Sequence, residues 1–264
     1  MRVIVTRPEP ECSQWAGALQ ARGLDAVALP LIELCDASDD VAICGRWRGL
    51  AQYHALMFVS RAAVQHFFSR RPASQAAALI GCGGRPRFWA TGPGTYAALV
   101  RQGVDAARID TPDAASGQFD SEALWAVVGG QALQGRRVLI VRGADASIAA
   151  DSQGSGRDWL AGTLEQAGAA VDFVVAYQRR APLWHAAQQR LARTAARDGS
   201  VWLFTSSQAI GHLAVCLPGQ QWTNARALAT HARIAQVARE TGFGVVWESR
   251  PRIEDVVASI ESVV

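Results

Sequence analysis

Residues 137–182 read RVLIVRGADASIAADSQGSGRDWLAGTLEQAGAAVDFVVAYQRRAP. Two short apolar runs frame this stretch. Val138 to Val141 shows no alternation and ends at Arg142-Gly143, and Val171 to Ala176 ends at Tyr177. Unalternating apolar runs of this length suit strands buried on both faces. Between them lies a Gly- and Ser-rich loop, then a helical spacing of Trp159, Leu160, Leu164 and Ala167 closed by Gly168. Strand, helix and strand in this order predict a parallel βαβ unit. The loop leaves the carboxyl end of a strand, where open α/β sheets bind ligands. Arg179, Arg180 and Pro182 mark an exit from the domain.

The same plan extends outward in both directions. Arg2 to Val5 is a strand, Thr6-Arg7-Pro8 its turn, and a helix over 11–21 closes at Gly23. Ala26 to Leu29 is the next strand, 31–35 continues extended, and Asp36 to Asp40 is a polar break. The strand Ala55 to Val59 leads to a helix capped by Ser60, and Arg87 to Ala90 to a helix over 96–101. Ser121 is expected to cap a helix over 122–128. After Pro182, a helix over 183–197 precedes the strands Val201 to Phe204, Arg226 to Ala229 and Val245 to Trp247, each followed by a helix.

Three pairs of segments resemble one another in the same order. RVIVTR at Arg2 matches RVLIVR at Arg137, ALMFVSRAAVQHF at Ala55 matches VWLFTSSQAIGHL at Val201, and RFWATG at Arg87 matches RALATH at Arg226. The offsets are roughly 135 to 146 residues, one supersecondary plan used twice. Two similar α/β domains follow.

Composition narrows the function. The 264 residues are half apolar, which suits a globular chain. A net charge of +3 is too small to argue for nucleic acid. Every cation is arginine, so a lysine Schiff base and a P-loop lysine are excluded. Cys12, Cys35, Cys44, Cys82 and Cys216 form no CxxC and read as scattered buried thiols of a reducing compartment. The opening MRVIVTRPEP reads as a first strand and not a signal peptide, and no apolar run is long enough to span a membrane. A cytoplasmic protein is expected.

Candidate chemistry gathers where strands end and helices begin: Thr6-Arg7, Ser60-Arg61, Thr91 to Thr95, Arg142-Gly143, Thr205 to Ser207 and His231. Such positions offer hydroxyls, unpaired N–H groups and a helix dipole to a ligand with several carboxylates or phosphates. The competing reading makes each Ser and Thr an ordinary N-cap and His231 a cap or surface group. The five histidines show no ligand spacing, so no metal is expected. Gly81-Cys82-Gly83-Gly84 and Gly92-Pro93-Gly94 are not GxGxxG, and GxSxG is absent. Asp145, Asp151, Asp158 and Glu165 read as solvated. Tyr177 is either an aromatic half-buried at a strand end or a weak acid facing a ligand.

Together VTRPEP with Pro30-Leu31-Ile32, FVSRAAV at Phe58, ATGPGTYAAL at Ala90, Ser121-Glu122-Ala123-Leu124, VLIVRG with VAYQR at Tyr177, FTSSQAI at Phe204 and ARIAQVARETG at Ala232 resemble the uroporphyrinogen-III synthase family over nearly the whole chain. The resemblance implies two flavodoxin-like parallel-sheet α/β domains joined by a two-stranded linker, with the active site in the cleft between them. The first domain would be discontinuous, 1–35 with 180–264, the second would span 40–175, and the hinge would lie at 34–39 and 177–182. It also implies cyclisation of hydroxymethylbilane to uroporphyrinogen III by a monomer that needs no cofactor, nucleic acid or membrane. Tyr177 would assist departure of the substrate hydroxyl, and Arg7, Ser60, Thr95, Arg142, Ser206 and His231 would bind its carboxylates. His231 stands where the family commonly has a hydroxyl residue, and the loop over 143–157 is long for it. The alternatives are a non-catalytic tetrapyrrole-binding or regulatory relative, and an unrelated small-molecule binder of similar fold.

Overall fold

The computed structural model describes residues 1–37, 39–73, 86–113, 120–146 and 155–262. The Gly81–Gly84 run with Cys82, the Ser116-Gly117 loop and Asp151 lie outside the described residues. The chain divides into two compact units, Met1–Leu34 with Arg180–Val264, and Cys35–Arg179.

The first unit is a parallel five-stranded sheet. Its elements are β1 (Arg2–Val5), α1 (Glu11–Gln20) and β2 (Asp25–Ala28), then α7 (Ala186–Ala195), β9 (Val201–Phe204), α8 (Ser207–Cys216), β10 (Arg226–Ala229), α9 (Ala232–Thr241), β11 (Val245–Glu248) and α10 (Ile253–Glu261). The strand order is β11-β10-β9-β1-β2. Successive side chains of a strand face opposite ways, and the core divides accordingly. Val3, Val5, Val201 and Leu203 pack with Leu19 of α1 and with Val256 and Ile260 of α10. Ile4, Trp202 and Phe204 pack with Ala192, Leu213 and Ala235 of α7, α8 and α9.

The second unit holds β3 (Glu33–Asp36), α2 (Asp40–Arg48), β4 (Ala55–Phe58), α3 (Arg61–Ser69), β5 (Arg87–Ala90), α4 (Pro93–Arg101), β6 (Ile109–Asp110), α5 (Ser121–Val128), β7 (Arg137–Asp145), α6 (Ser155–Gln166) and β8 (Ala170–Arg180). Its six-stranded sheet runs β3-β8-β7-β4-β5-β6. β4 is buried throughout, as a central strand covered on both faces must be. Met57, Trp89 and Ile140 meet Leu124 of α5 and Leu160 and Leu164 of α6. Phe58 meets Phe67 of α3, and Trp47 of α2 stacks on Phe67 at 4.7 Å. The chain changes unit inside β3 and again at the end of β8.

The sequence repeats and the compact units do not coincide. By the sequence pairing, β7, β4 and β5 correspond to β1, β9 and β10. Taking β8 and β6 as the partners of β2 and β11, the order β8-β7-β4-β5-β6 becomes that of β2-β1-β9-β10-β11. The first unit has the 2-1-3-4-5 order of flavodoxin-like sheets, and the second has the same spatial arrangement with its chain order permuted. Of the five strands compared, each unit therefore takes two from one repeat and three from the other: β1 and β2 with β9, β10 and β11, and β7 and β8 with β4, β5 and β6.

Several boundaries differ from the sequence reading. β8 does not end at Tyr177 but runs to Arg180, and β7 runs to Asp145 beyond Arg142-Gly143. Both tails are polar and carry no apolar signal. Of the loop expected over 143–157, residues 143–145 belong to β7 and 155–157 to α6, and 147–154 lie outside the described residues. Asp120, not Ser121, caps α5, its Oδ1 accepting the Ala123 N–H at 2.8 Å. α4 starts at Pro93 rather than Tyr96, because proline suits a first helical position. Among the described cysteines only Cys12 is buried; Cys35, Cys44 and Cys216 are half-buried. No helix among the described residues is long and apolar enough to cross a membrane.

Candidate active site

In an open α/β sheet the strand order reverses at one place, and ligands bind there beyond the carboxyl ends. In the first unit this place lies between β1 and β9, and the residues that follow are Thr6-Arg7 and Thr205-Ser206. Thr6 is buried and its hydroxyl donates to Leu203 O at 2.7 Å, which ties the two strand ends together. Arg7 Nη1 pairs with Glu11 Oε2 at 3.0 Å, and its guanidinium lies 4.2 Å from the Trp15 ring centre. Ser206 caps α8, its Oγ accepting the Gln208 N–H at 3.2 Å. One strand further out, His231 is exposed and caps α9 through Nδ1, which accepts the Arg233 N–H at 3.1 Å.

In the second unit the reversal lies between β4 and β7. Ser60 follows β4 and caps α3, its Oγ accepting the Ala63 N–H at 3.1 Å. Arg142 lies in β7 with its guanidinium 4.6 Å from the Phe173 ring centre. Thr95 sits in the first turn of α4, 5% exposed, with its N–H given to Gly92 O at 3.1 Å. Gly94 lies beside Arg61: a Cβ there would come within 3.3 Å of Arg61 Nη2.

Tyr177 lies on this edge, in β8. The β7–β8 register slips after Arg142, so that Gly143 rather than Ala144 faces Tyr177. A bulge of this kind turns a side chain to a new direction. The Tyr177 ring lies against Gly143, where any Cβ would collide with Cζ and both Cε atoms. Its hydroxyl stands 3.2 Å from Ser60 Oγ, and the residue is 4% exposed. The ring stacks on His66 of α3 at 5.4 Å between centres.

The structure thus brings Ser60 and Tyr177 into direct contact and puts Arg142 on the same sheet edge. Thr95 is buried in a neighbouring helix start. Arg7, Ser206 and His231 occupy the matching edge of the other unit. The repeat makes these correspondences explicit: Arg7 with Arg142, Ser60 with Ser206, and Gly92 with His231. Continuing the strand registers from Arg2–Asp25 and Arg137–Ala170, Tyr177 corresponds to Ile32. The position that corresponds to the phenol in the first unit thus carries an aliphatic side chain. Sequence reading missed His66 as a neighbour of Tyr177, although its pairing with His212 in the repeat singled it out. Among the described residues, no group of three or more His, Cys, Asp or Glu side chains is placed to hold a metal.

Residues 13–258 match a family model, HEM4, whose description is uroporphyrinogen-III synthase HemD. The crystal structure of uroporphyrinogen-III synthetase from Helicobacter pylori aligns with a TM-score of 0.55 at 16% identity, covering 100% of this chain and 99% of that one. A mutant uroporphyrinogen III synthase from Thermus thermophilus aligns with a TM-score of 0.54 at 14% identity, covering 99% and 98%. Identities this low bear on the fold alone.

Proposed function

Since the chain belongs to the uroporphyrinogen-III synthase family, we propose that it is the lyase that turns hydroxymethylbilane into uroporphyrinogen III in porphyrin biosynthesis. In this reaction the linear tetrapyrrole loses water, closes into a macrocycle and inverts its last pyrrole ring through a spiro intermediate. The observation that carries the reading is the Ser60–Tyr177 contact of 3.2 Å beside the strand reversal of the second unit.

The substrate hydroxyl leaves as water once its oxygen receives a proton, and the pyrrole nitrogen supplies the electronic push. A phenol is a weak acid but can hydrogen-bond the departing oxygen. A serine hydroxyl has one proton and two lone pairs. Ser60 Oγ accepts from Ala63 N–H, and its own proton can go to the Tyr177 oxygen. The Tyr177 proton is then available to the leaving oxygen, and the charge left on the phenol oxygen is met by the Ser60 donor.

The remaining task is geometric: holding the bilane so that the last ring inverts before the uncatalysed closure to the uninverted isomer occurs. Its eight carboxylates call for arginines, hydroxyls and helix-start N–H groups. Arg7, Ser206 and His231 of one unit and Ser60, Thr95 and Arg142 of the other are the residues assigned to them.

The test is incubation with enzymatically generated hydroxymethylbilane, oxidation, and separation of uroporphyrins I and III. The III isomer is expected to dominate. Isomer I alone, formed at the rate of the protein-free control, refutes the reading, and bilane binding without turnover would leave a tetrapyrrole-binding relative.

A further inference from the structure

We propose that His66 is a positioning residue for Tyr177, holding the phenol ring so that its hydroxyl stays on Ser60. The proposal rests on the reading of Tyr177 given above. Ser60 caps α3 and His66 lies further along the same helix, so one rigid element presents a hydrogen-bond partner to the hydroxyl and a flat surface to the ring. The two rings are 5.4 Å apart and inclined by 25°. His66 is itself oriented by a third group: its Nδ1 lies 3.1 Å from Asp36 Oδ1 at the end of β3. Asp36 also binds Arg70 at 2.8 Å, and that hydrogen bond, with His66 adding to it, holds the carboxyl below its usual range. The acceptor is therefore a carboxylate, and a ring hydrogen-bonded to a carboxylate through one nitrogen has a fixed orientation.

The repeat supplies an internal comparison. His212 occupies the corresponding place on α8, is buried, and has Nδ1 2.6 Å from Leu31 O. By continuation of the strand registers, Ile32 corresponds to Tyr177. The same helical position thus carries a histidine twice. Without the phenol it is tied to the main chain, and with the phenol it turns to a side-chain carboxylate and offers its face to the tyrosine.

The experiment uses the full chain labelled with ring-¹³C tyrosine. The chain has three tyrosines, so Tyr177→Phe assigns the Tyr177 resonance. His66→Ala is expected to move that resonance toward the value of free tyrosine while the other two stay in place. His66→Phe, which keeps a flat stacking face, is expected to leave it near the wild-type position. An unmoved Tyr177 resonance in His66→Ala, or a displaced one in a folded His66→Phe, overturns the proposal. In parallel, His66→Ala should lower kcat for the III isomer on the order of tenfold at unchanged KM. The loss should vanish in the Tyr177→Phe background; the same loss there would make His66 a structural or independent residue and overturn the proposal. A wild-type protein that makes no III isomer would refute the assigned reaction, and the ring resonance would still decide the positioning.

Discussion

The Tyr177 hydroxyl lies 3.2 Å from Ser60 Oγ, which at the same time accepts the Ala63 N–H at 3.1 Å. A phenol held in this way can give its own proton elsewhere without losing its anchor. Tyr177→Phe keeps the ring, its stacking and its burial and removes only the hydroxyl. General acid assistance is worth about 10²–10⁴-fold, and the pyrrole push places this case at the low end or somewhat below it. Turnover to the III isomer should fall by about that factor while a non-reactive bilane analogue binds as before. Unchanged turnover in a folded Tyr177→Phe protein would leave the tyrosine as a packing residue.

Ser60 and Ser206 occupy the same place in the two repeats, and each caps a helix through its own Oγ. Replacing either by alanine should cost about 1 kcal/mol of stability through the lost cap. Only Ser60 also touches the phenol, so Ser60→Ala should lower kcat several-fold, and Ser206→Ala should act on KM alone. Urea unfolding beside steady-state turnover separates the two effects. Equal losses of kcat would mean that the Ser60–Tyr177 bond plays no part in the reaction.

The central strands were legible in the sequence because burial on both faces writes an uninterrupted apolar run: ALMF at Ala55 and VWLF at Val201 are buried at every position. The repeat was legible too, and with it the pairing of Arg7 with Arg142 and Ser60 with Ser206. The exchange of strands between repeats and units was implied by the family resemblance and not by the repeat, because an offset in sequence says nothing about which half packs on which. The extent of β8 was lost where Gln178, Arg179 and Arg180 continue the strand with polar side chains. β6 has two residues and no pattern to read. His66 was visible in the repeat but had no chemical meaning until Tyr177 was placed against it. The Ser60–Tyr177 bond joins residues 117 apart, and no local signal anticipates it.

Two thiols set an alkaline limit on stability. Cys12 is fully buried, and burial pushes its pKa up to about 12; burial also pushes Cys216 up to about 11. An unfolded cysteine titrates at about 8.5. Below that value both states keep the thiol proton and the contribution is whole. Above it the unfolded chain loses protons first, so stability falls as pH rises toward the folded values. Each thiol steepens the fall by at most about 1.4 kcal/mol per pH unit. Lysine is absent and contributes nothing in this window. Urea unfolding at about pH 8 and about pH 10 should show the loss, and Cys12→Ala should flatten it. An equal slope in wild type and variant would remove Cys12 from the account.

Gly143 tests the whole arrangement at a single atom. The slip in register after Arg142 brings the Tyr177 ring down onto it, and a Cβ at this position would overlap Cζ and both Cε atoms. β7 pairs with β4 up to Val141 and with β8 on both sides of Gly143, so the backbone there is held by β8 and has limited room to yield. The ring must therefore swing, and its hydroxyl leaves Ser60 as it does. Crowding of this kind costs about 1–3 kcal/mol. Gly143→Ala should show that loss in thermal or urea unfolding, together with a fall in turnover similar to that of Tyr177→Phe. The two losses have one cause, so the stability cost should shrink when Tyr177→Leu removes the ring, a coupling that a double-mutant cycle measures. A Gly143→Ala protein with wild-type stability and turnover would mean that the ring does not rest on Gly143 in solution, and the geometry assigned to Tyr177 would fall with it.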